Sequence, residues 1–295
     1  MTKQRIGRNP MRIDAHQHFW SLEHGDYGWL QPTPALKALY RDFAPADLRP
    51  HLQAANIEGT VLVQAAPSEA ETERLLEIGR QPDSMVLGVV GWCALEAADA
   101  SERIARCARD PLLKGLRPML QDMPDIGWVL GPQADRAWAA MEGHGLVLDL
   151  LIKPHQIDTA LELLQRQPKL RAVVDHAAKP AIASGWDLAF APWAAAMTTL
   201  ARETNVACKL SGLLTEALIG ADVRVLRPYV ELLLSEFGAA RLVWGSDWPV
   251  VTLTASYLTW HAMCVDLLAD LDAREQGLIF GGNAVALYEL DLRQC

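Results

Sequence analysis

The sequence lacks the cysteine pattern of a disulfide-stabilised or zinc-finger protein. Its 295 residues include five cysteines, an odd number, which are dispersed and form no Cys-x-x-Cys pair. Disulfide frameworks need paired cysteines and zinc fingers need clustered ones, so neither class is expected. The cysteine content favours a reducing cytoplasm.

Positive charge and long apolar runs are also scarce. Lysine and arginine total 27 against 36 acidic residues, which gives a net charge of −9. An acidic chain is repelled by nucleic-acid phosphates and by anionic membrane surfaces, so we expect neither partner. No apolar stretch of signal-peptide length follows Arg5 and Arg8. We therefore expect a cytoplasmic protein whose residues 1–10 are a disordered extension.

What the chain does contain is a regular alternation of strand-like and helix-like segments. Eight apolar runs of strand length recur at intervals on the order of 30 residues, the size of one strand plus a crossover helix. The runs are Arg12–His18, Thr60–Ala65, Met85–Trp92, Lys114–Leu120, Leu146–Ile152, Ala172–His176, Ala207–Ser211 and Leu242–Ser246. The segments between them with helical character include Ser68–Arg80, Ala97–Arg109, Ala134–Gly143, Gln156–Gln167, Trp193–Thr204 and Arg224–Phe237.

Most of these runs are continuously apolar, which predicts a parallel sheet covered on both faces. Eight strand–helix units predict an α/β fold that closes into a (β/α)8 barrel of the TIM type. A doubly wound open sheet is the alternative, but no Gly-x-Gly-x-x-Gly follows the first run. No internal repeat or linker divides the chain, so residues 11–295 are predicted to form a single barrel domain. Residues 20–46, rich in aromatics and proline, are expected to form a pocket wall or lid.

Side chains capable of catalysis stand at the ends of several runs. Alternate side chains of an extended strand share a face, so His16 and His18 should point the same way. His176 ends the sixth run and Asp247 follows the eighth. The carboxyl ends of barrel strands meet at one face, so these four residues are predicted to form one site. Three imidazoles and a carboxylate suit a mononuclear zinc or hydrolytic site, with Asp247 as general base.

Five further residues are candidates for substrate binding. They are Gln64, Arg117, Trp29, His155 and Trp248. A guanidinium inside a strand is costly to bury alone, so Arg117 is expected to face an acid or a carbonyl oxygen. Trp29 and Trp248 are expected to line the pocket, where each either stacks on a sugar ring or simply fills the barrel mouth. For His155, an ordinary loop position is an equal alternative.

Seven motifs together resemble a known family. They are Asp-x-His-x-His-Phe-Trp at 14–20, Val-Gln-Ala at 63–65, Lys-Gly-Leu-Arg at 114–117, Asp-His-x-x-Lys-Pro at 175–180, Lys-Leu-Ser-Gly at 209–212, Gly-Ser-Asp-Trp-Pro at 245–249 and Gly-Gly-Asn-Ala at 281–284. In these motifs the chain, from Arg12 to Leu292, resembles the amidohydrolase superfamily. More narrowly, it is similar to the amidohydrolase-2 branch of sugar-lactone and dicarboxylate-lactone hydrolases.

The resemblance implies a lactonase of carbohydrate catabolism. Its expected substrate is a small aldonolactone such as L-fuconolactone, and His16, His18, His176 and Asp247 carry over as the site. An uncharged polyol agrees with the residues, because Arg117 is the only interior cation that we predict.

The resemblance also bears on the cofactor. Binuclear members use a bridging lysine at the end of strand four, whereas Lys114 stands at the start of that run. The resemblance therefore implies at most one zinc ion, held by the three histidines and Asp247, and some lactonases of this branch need no metal. One alternative is a zinc-dependent decarboxylase of an aromatic or enol carboxylic acid. A second is a sugar-binding barrel without activity.

Overall fold

The computed structural model describes residues 11–292, which are built around eight parallel strands. The strands are β1 (Ile13–Gln17), β2 (Gly59–Val63), β3 (Val86–Gly91), β4 (Leu113–Leu116), β5 (Val147–Leu150), β6 (Ala172–Val174), β7 (Ala207–Leu210) and β8 (Leu242–Trp244). Each strand pairs with the next one along the chain. Hydrogen bonds from Asp247 N to His16 O, at 2.8 Å, and from His18 N to Trp248 O, at 2.7 Å, join the last strand to the first. The predicted (β/α)8 barrel is confirmed.

Helices surround the strands. They are α1 (Pro45–Ala55), α2 (Glu69–Gly79), α3 (Ala100–Cys107), α4 (Pro132–Gly143), α5 (Ile157–Arg166), α6 (Trp186–Glu203), α7 (Val223–Phe237), α8 (Tyr257–Leu267), α9 (Ala273–Gly277) and α10 (Asn283–Tyr288). Because helices cover the outside of the sheet and side chains fill its inside, the strands can be apolar on both faces. Between residues 11 and 292, no helix is both long and apolar enough to span a membrane. The extension predicted for residues 1–10 lies outside the described residues.

Several strands end earlier than the sequence predicted. The run predicted from Lys114 to Leu120 pairs only as far as Leu116, because the chain then leaves the sheet while its apolar side chains stay buried under the loops. Arg117 consequently lies one residue past β4, although we expected it inside the strand. His176 likewise lies two residues past the end of β6. Helix α6 begins seven residues before the predicted Trp193 and contains Pro192.

The segment of residues 20–46 forms a wall at the carboxyl ends of the strands. Trp20 and Phe43 pair as an antiparallel bridge, with N to O distances of 3.1 and 2.9 Å. The indole of Trp29 packs edge-on against Trp20 and donates a hydrogen bond to Ala65 O, just beyond β2, at 2.8 Å. These contacts join the two ends of the segment to each other and its middle to the barrel.

The opposite end of the barrel is closed by the turn before α10. A Cβ placed on Gly281 would lie 2.0 Å from the carbonyl oxygen of Met11. Asn283 Nδ2 donates hydrogen bonds to the carbonyl oxygens of Ala239 and Leu242, each at 2.7 Å. The turn is thus fixed against the starts of β1 and β8.

Substitution Gly281→Ala is expected to lower the free energy of unfolding by about 2–3 kcal/mol, because the added methyl overpacks a backbone contact that cannot yield. Urea denaturation measures the change. Gly282→Ala is the matched control, since its Cβ would meet the flexible end of Leu278 at 3.3 Å and the backbone oxygen of Gly277 at 3.4 Å, both far longer than the 2.0 Å contact of Gly281. Equal losses in the two variants would contradict this account.

Candidate active site

Four side chains from three strand ends converge at the barrel mouth. His16 lies in β1, His18 directly follows it, His176 follows β6 and Asp247 follows β8. The Nε2 atoms of His16, His18 and His176 lie 3.8, 3.3 and 3.8 Å from Oδ1 of Asp247. Each of the four residues is at most 4% exposed. The four residues that we predicted from the sequence to form one site therefore lie together in the structure.

The backbone on which two of these residues stand is left-handed. The four consecutive residues from His176 to Lys179 have φ between 50° and 58°, and Asp247 has φ 57°. This conformation is unfavourable for residues with a Cβ and persists only where the surroundings enforce it. A hydrogen bond from Lys179 N to His176 O, at 2.8 Å, closes the first turn. The strained backbone turns both side chains back over the barrel axis.

Hydrogen bonds orient two of the imidazole rings. His18 Nδ1 lies 2.8 Å from Val63 O, and a carbonyl can only accept, so Nδ1 carries the proton. The lone pair of Nε2 then faces the Asp247 carboxylate at 3.3 Å. His176 Nδ1 lies 2.8 Å from Ser211 Oγ. A proton or a metal ion between His18 Nε2 and Asp247 Oδ1 would stabilise this contact.

Burial controls the protonation of the cluster. It lowers the pKa of His176 to about 4, and burial together with the charge of Lys209 lowers the pKa of His16 well below its usual range. Both imidazoles are therefore neutral near pH 7, the form that ligates metals. Burial alone would raise the pKa of Asp247, but the surrounding histidines outweigh it and lower that pKa. The carboxylate is thus ionised.

The donor atoms fit one divalent metal ion. The ligand atoms of His16, His18 and Asp247 all lie within 4.8 Å of one another. Zinc bound tetrahedrally at about 2.0–2.1 Å would separate its ligand atoms by about 3.3 Å, close to the distances found here. His176 falls into a second such group, with His16 and Asp175. Three protein ligands and one open position are typical of a catalytic zinc site.

A buried charged network beneath this cluster escaped the sequence reasoning. Lys209 of β7 is fully buried, and its Nζ lies 2.5 Å from Asp149 Oδ2, 3.0 Å from Asp175 Oδ1 and 3.1 Å from His16 Nδ1. Our expectation that Arg117 is the only interior cation is therefore wrong. The sequence did contain a clue, because a lysine or an aspartate inside an apolar run can be buried only with a partner.

Arg117 points its guanidinium at the same network. Its NH1 lies 3.2 Å from Asp175 Oδ2 and 3.3 Å from His16 Nε2. Its NH2 donates to the backbone oxygen of Gln64 and, at 3.0 Å, to Gln64 Oε1, while Gln64 Nε2 donates to Arg117 O. Arg117 thus has the acid and carbonyl partners that its burial requires.

The other three predicted substrate-binding residues differ in exposure. His155 is exposed in the short 3-10 turn after β5. Trp29 is 36% exposed and offers open indole surface. Trp248 is 2% exposed and packs against Phe43 in the wall, with ring centroids 5.2 Å apart. Of the two tryptophans that we predicted to line the pocket, Trp29 is therefore the one that is accessible from solvent.

An ion pair near the cluster was also missed. Lys179 Nζ lies 3.7 Å from Glu216 Oε1, and both side chains are partly exposed. Burial raises the pKa of Glu216. The positive charge of Lys179 lowers that pKa and the negative charge of Asp247 raises it, so that the pKa remains above its usual value. Both residues follow strand ends, which is the position that could have marked them as candidates.

Comparison with known proteins agrees with this geometry. Residues 13–290 match the model of the amidohydrolase family. The chain is 45% identical over 286 residues to an L-fucono-1,5-lactonase of Burkholderia ambifaria, covering 95% of this chain and 96% of that protein. It is 37% identical over 290 residues to an L-fucono-1,5-lactonase of Burkholderia multivorans, with the same coverage. A crystal structure of an amidohydrolase from Burkholderia multivorans with bound zinc has a TM-score of 0.89 at 36% identity, covering 95% of this chain and 100% of that one.

Substitution Gly212→Ala is expected to displace the His176 ring, because its Cβ would lie 2.6 Å from ring atoms of His176. Gly220→Ala is the matched control. Both glycines have positive φ, at +65° and +86°, but Gly220 has nothing within 4 Å of an added Cβ. We expect Gly212→Ala to lose about 2 kcal/mol more of unfolding free energy than the control, with the ring shift visible by crystallography. An unmoved ring would contradict this prediction.

Proposed function

Because the chain belongs to the amidohydrolase family, we propose that it hydrolyses the ring ester of a sugar-acid lactone such as L-fuconolactone. The observation that carries the proposal is the convergence of three imidazole Nε2 atoms on the Asp247 carboxylate, at 3.3–3.8 Å. Both curated relatives described above are L-fucono-1,5-lactonases. The product is the open aldonic acid, as expected of an enzyme of carbohydrate catabolism.

In this reaction Asp247 acts as the general base. Its ionised carboxylate takes a proton from water, and the water oxygen forms a bond to the lactone carbonyl carbon. The bond between that carbon and the ring oxygen then breaks. Asp247 returns the proton to the ring oxygen, which leaves as a hydroxyl group. One water is consumed and one carboxylic acid is formed for each lactone.

We assign His16, His18 and Asp247 as the residues that would hold one zinc ion. Zinc bound there would supply Lewis-acid chemistry toward the lactone carbonyl. His176, predicted as the fourth ligand, lies 3.8 Å from Asp247 Oδ1 and is held by Ser211. We assign to His176 one of two roles. It either donates a hydrogen bond to the developing oxyanion or serves as a fourth zinc ligand.

The remaining residues divide into supporting and substrate-facing groups. The NH1 and NH2 groups of Arg117 are engaged with Gln64, Asp175 and His16, and the side-chain amide of Gln64 is engaged with Arg117, so we assign to both residues the positioning of His16. Trp29, with its open indole surface, is our candidate to stack on the sugar ring.

The charges in the site favour an uncharged substrate. Asp149 and Asp175 neutralise Lys209, and Asp175 also neutralises Arg117. A dicarboxylate or an aromatic carboxylate would need cations that are free to pair with it. The decarboxylase alternative therefore has less support, as does a sugar-binding barrel without activity, since the relatives at 45% and 37% identity are lactonases.

The substrate class is tested by following proton release with a pH indicator. The panel contains aldono-1,4- and 1,5-lactones, and the enzyme is assayed after chelator treatment and again after addition of zinc. We expect rapid turnover of a few stereochemically related lactones, and the response to zinc determines whether the metal is required. Absence of turnover in both states would refute the proposal.

Substitution Asp247→Asn is expected to lower kcat on the best lactone by about 10²–10⁴-fold, the usual contribution of a general base, with an unchanged circular dichroism spectrum. Asp135→Asn is the control, because Asp135 is exposed on α4. Near-normal turnover by Asp247→Asn would remove this residue from the mechanism.

A further inference from the structure

The buried ammonium of Lys209 is surrounded by oxygen and nitrogen atoms that could also ligate a metal ion. Its Nζ lies within 3.1 Å of Asp149 Oδ2, Asp175 Oδ1 and His16 Nδ1. Carboxylate oxygens and imidazole nitrogens are common ligands of divalent metals. His16 and Asp175, together with His176, also form a group whose ligand atoms lie within 4.8 Å of one another. Two members of that group, His16 and Asp175, are therefore already in contact with the ammonium of Lys209.

The contact between Lys209 and Asp175 is held by charge. Asp175 Oδ1 is buried and lies 3.0 Å from the ammonium and 3.5 Å from His16 Nδ1. A metal ion would hold an oxygen in the same way, without the directionality of a hydrogen bond. On the other side, the Tyr288 ring lies 5.6 Å from Nζ and the Tyr288 hydroxyl donates to Asp149 Oδ2 at 2.9 Å. Lys209 is thus enclosed by groups that attract a cation.

We propose that Lys209 is a built-in cation that takes the place of a second metal ion and limits the site to one. Its charge balances the buried carboxylates of Asp149 and Asp175, whose burial would otherwise be prohibitive. Its ammonium can only donate a hydrogen bond to His16 Nδ1, at 3.1 Å, so the lone pair of that nitrogen is not available to a second metal ion. This inference rests on the metal site proposed above and is independent of the lactone substrate.

Zinc stoichiometry tests the inference directly. Wild type and Lys209→Ala are dialysed against zinc, freed of excess metal and analysed by elemental mass spectrometry. We expect one zinc per wild-type chain and two per Lys209→Ala chain, because the substitution frees both the volume and the negative charge. Zinc should also raise the melting temperature of Lys209→Ala by on the order of 10 °C more than that of wild type, because it restores the missing cation.

Lys209→Met is the matched control. It removes the charge but fills the volume, so it should melt lower than wild type, bind one zinc and gain no extra stability from the metal. Two zinc ions in wild type would overturn the inference. So would a Lys209→Ala variant that binds one ion and gains no more stability from zinc than wild type does.

Insolubility of Lys209→Ala is itself informative. Expression in medium with added zinc should recover soluble protein, and failure to do so would overturn the inference. Lactone turnover is measured separately on the wild type. If turnover is absent while the stoichiometries are as expected, the proposed substrate fails and the role of Lys209 stands.

Discussion

The structure depends on the neutralisation of charges that the barrel buries. Placing one charged group in a protein interior costs several kcal/mol unless an opposite charge compensates it. Asp175 provides that compensation twice, since Lys209 approaches one of its oxygens at 3.0 Å and Arg117 the other at 3.2 Å. These three residues come from β7 and from the ends of β6 and β4. The carboxylate therefore links residues from three strands of the barrel around His16.

The same charges determine the state of the histidine at the centre. His16 lies between Lys209 on its Nδ1 side and Arg117 on its Nε2 side, and burial together with the charge of Lys209 lowers its pKa. A neutral imidazole in a fixed orientation is the form that can bind a metal or contact a reacting group. The network beneath the mouth thus prepares the site, although none of its cations needs to contact a substrate.

The barrel and its four central residues could be predicted because their signals are local. A run of apolar residues marks a strand wherever it pairs, and the spacing of His16 and His18 sets their common face. The partners of Lys209 could not be predicted in this way, because Asp149 and Asp175 are distant in sequence and meet it only when the barrel closes. The strand ends were misplaced for a related reason, since residues such as Leu120 remain buried beyond the last pairing.

The division of charge also explains why one carboxylate among several is suited to be the base. Asp175 contacts His16 as closely as Asp247 does, at 3.5 Å against 3.8 Å. Among the described residues, however, Asp175 pairs with two cations and is fully buried, whereas Asp247 lies against histidines, its side chain pairs with neither a lysine nor an arginine, and that side chain is 6% exposed. Only a carboxylate that meets water and is not bound to a lysine or arginine can take a proton from it. Asp175 is therefore used to hold the site together, and Asp247 remains able to act as the base.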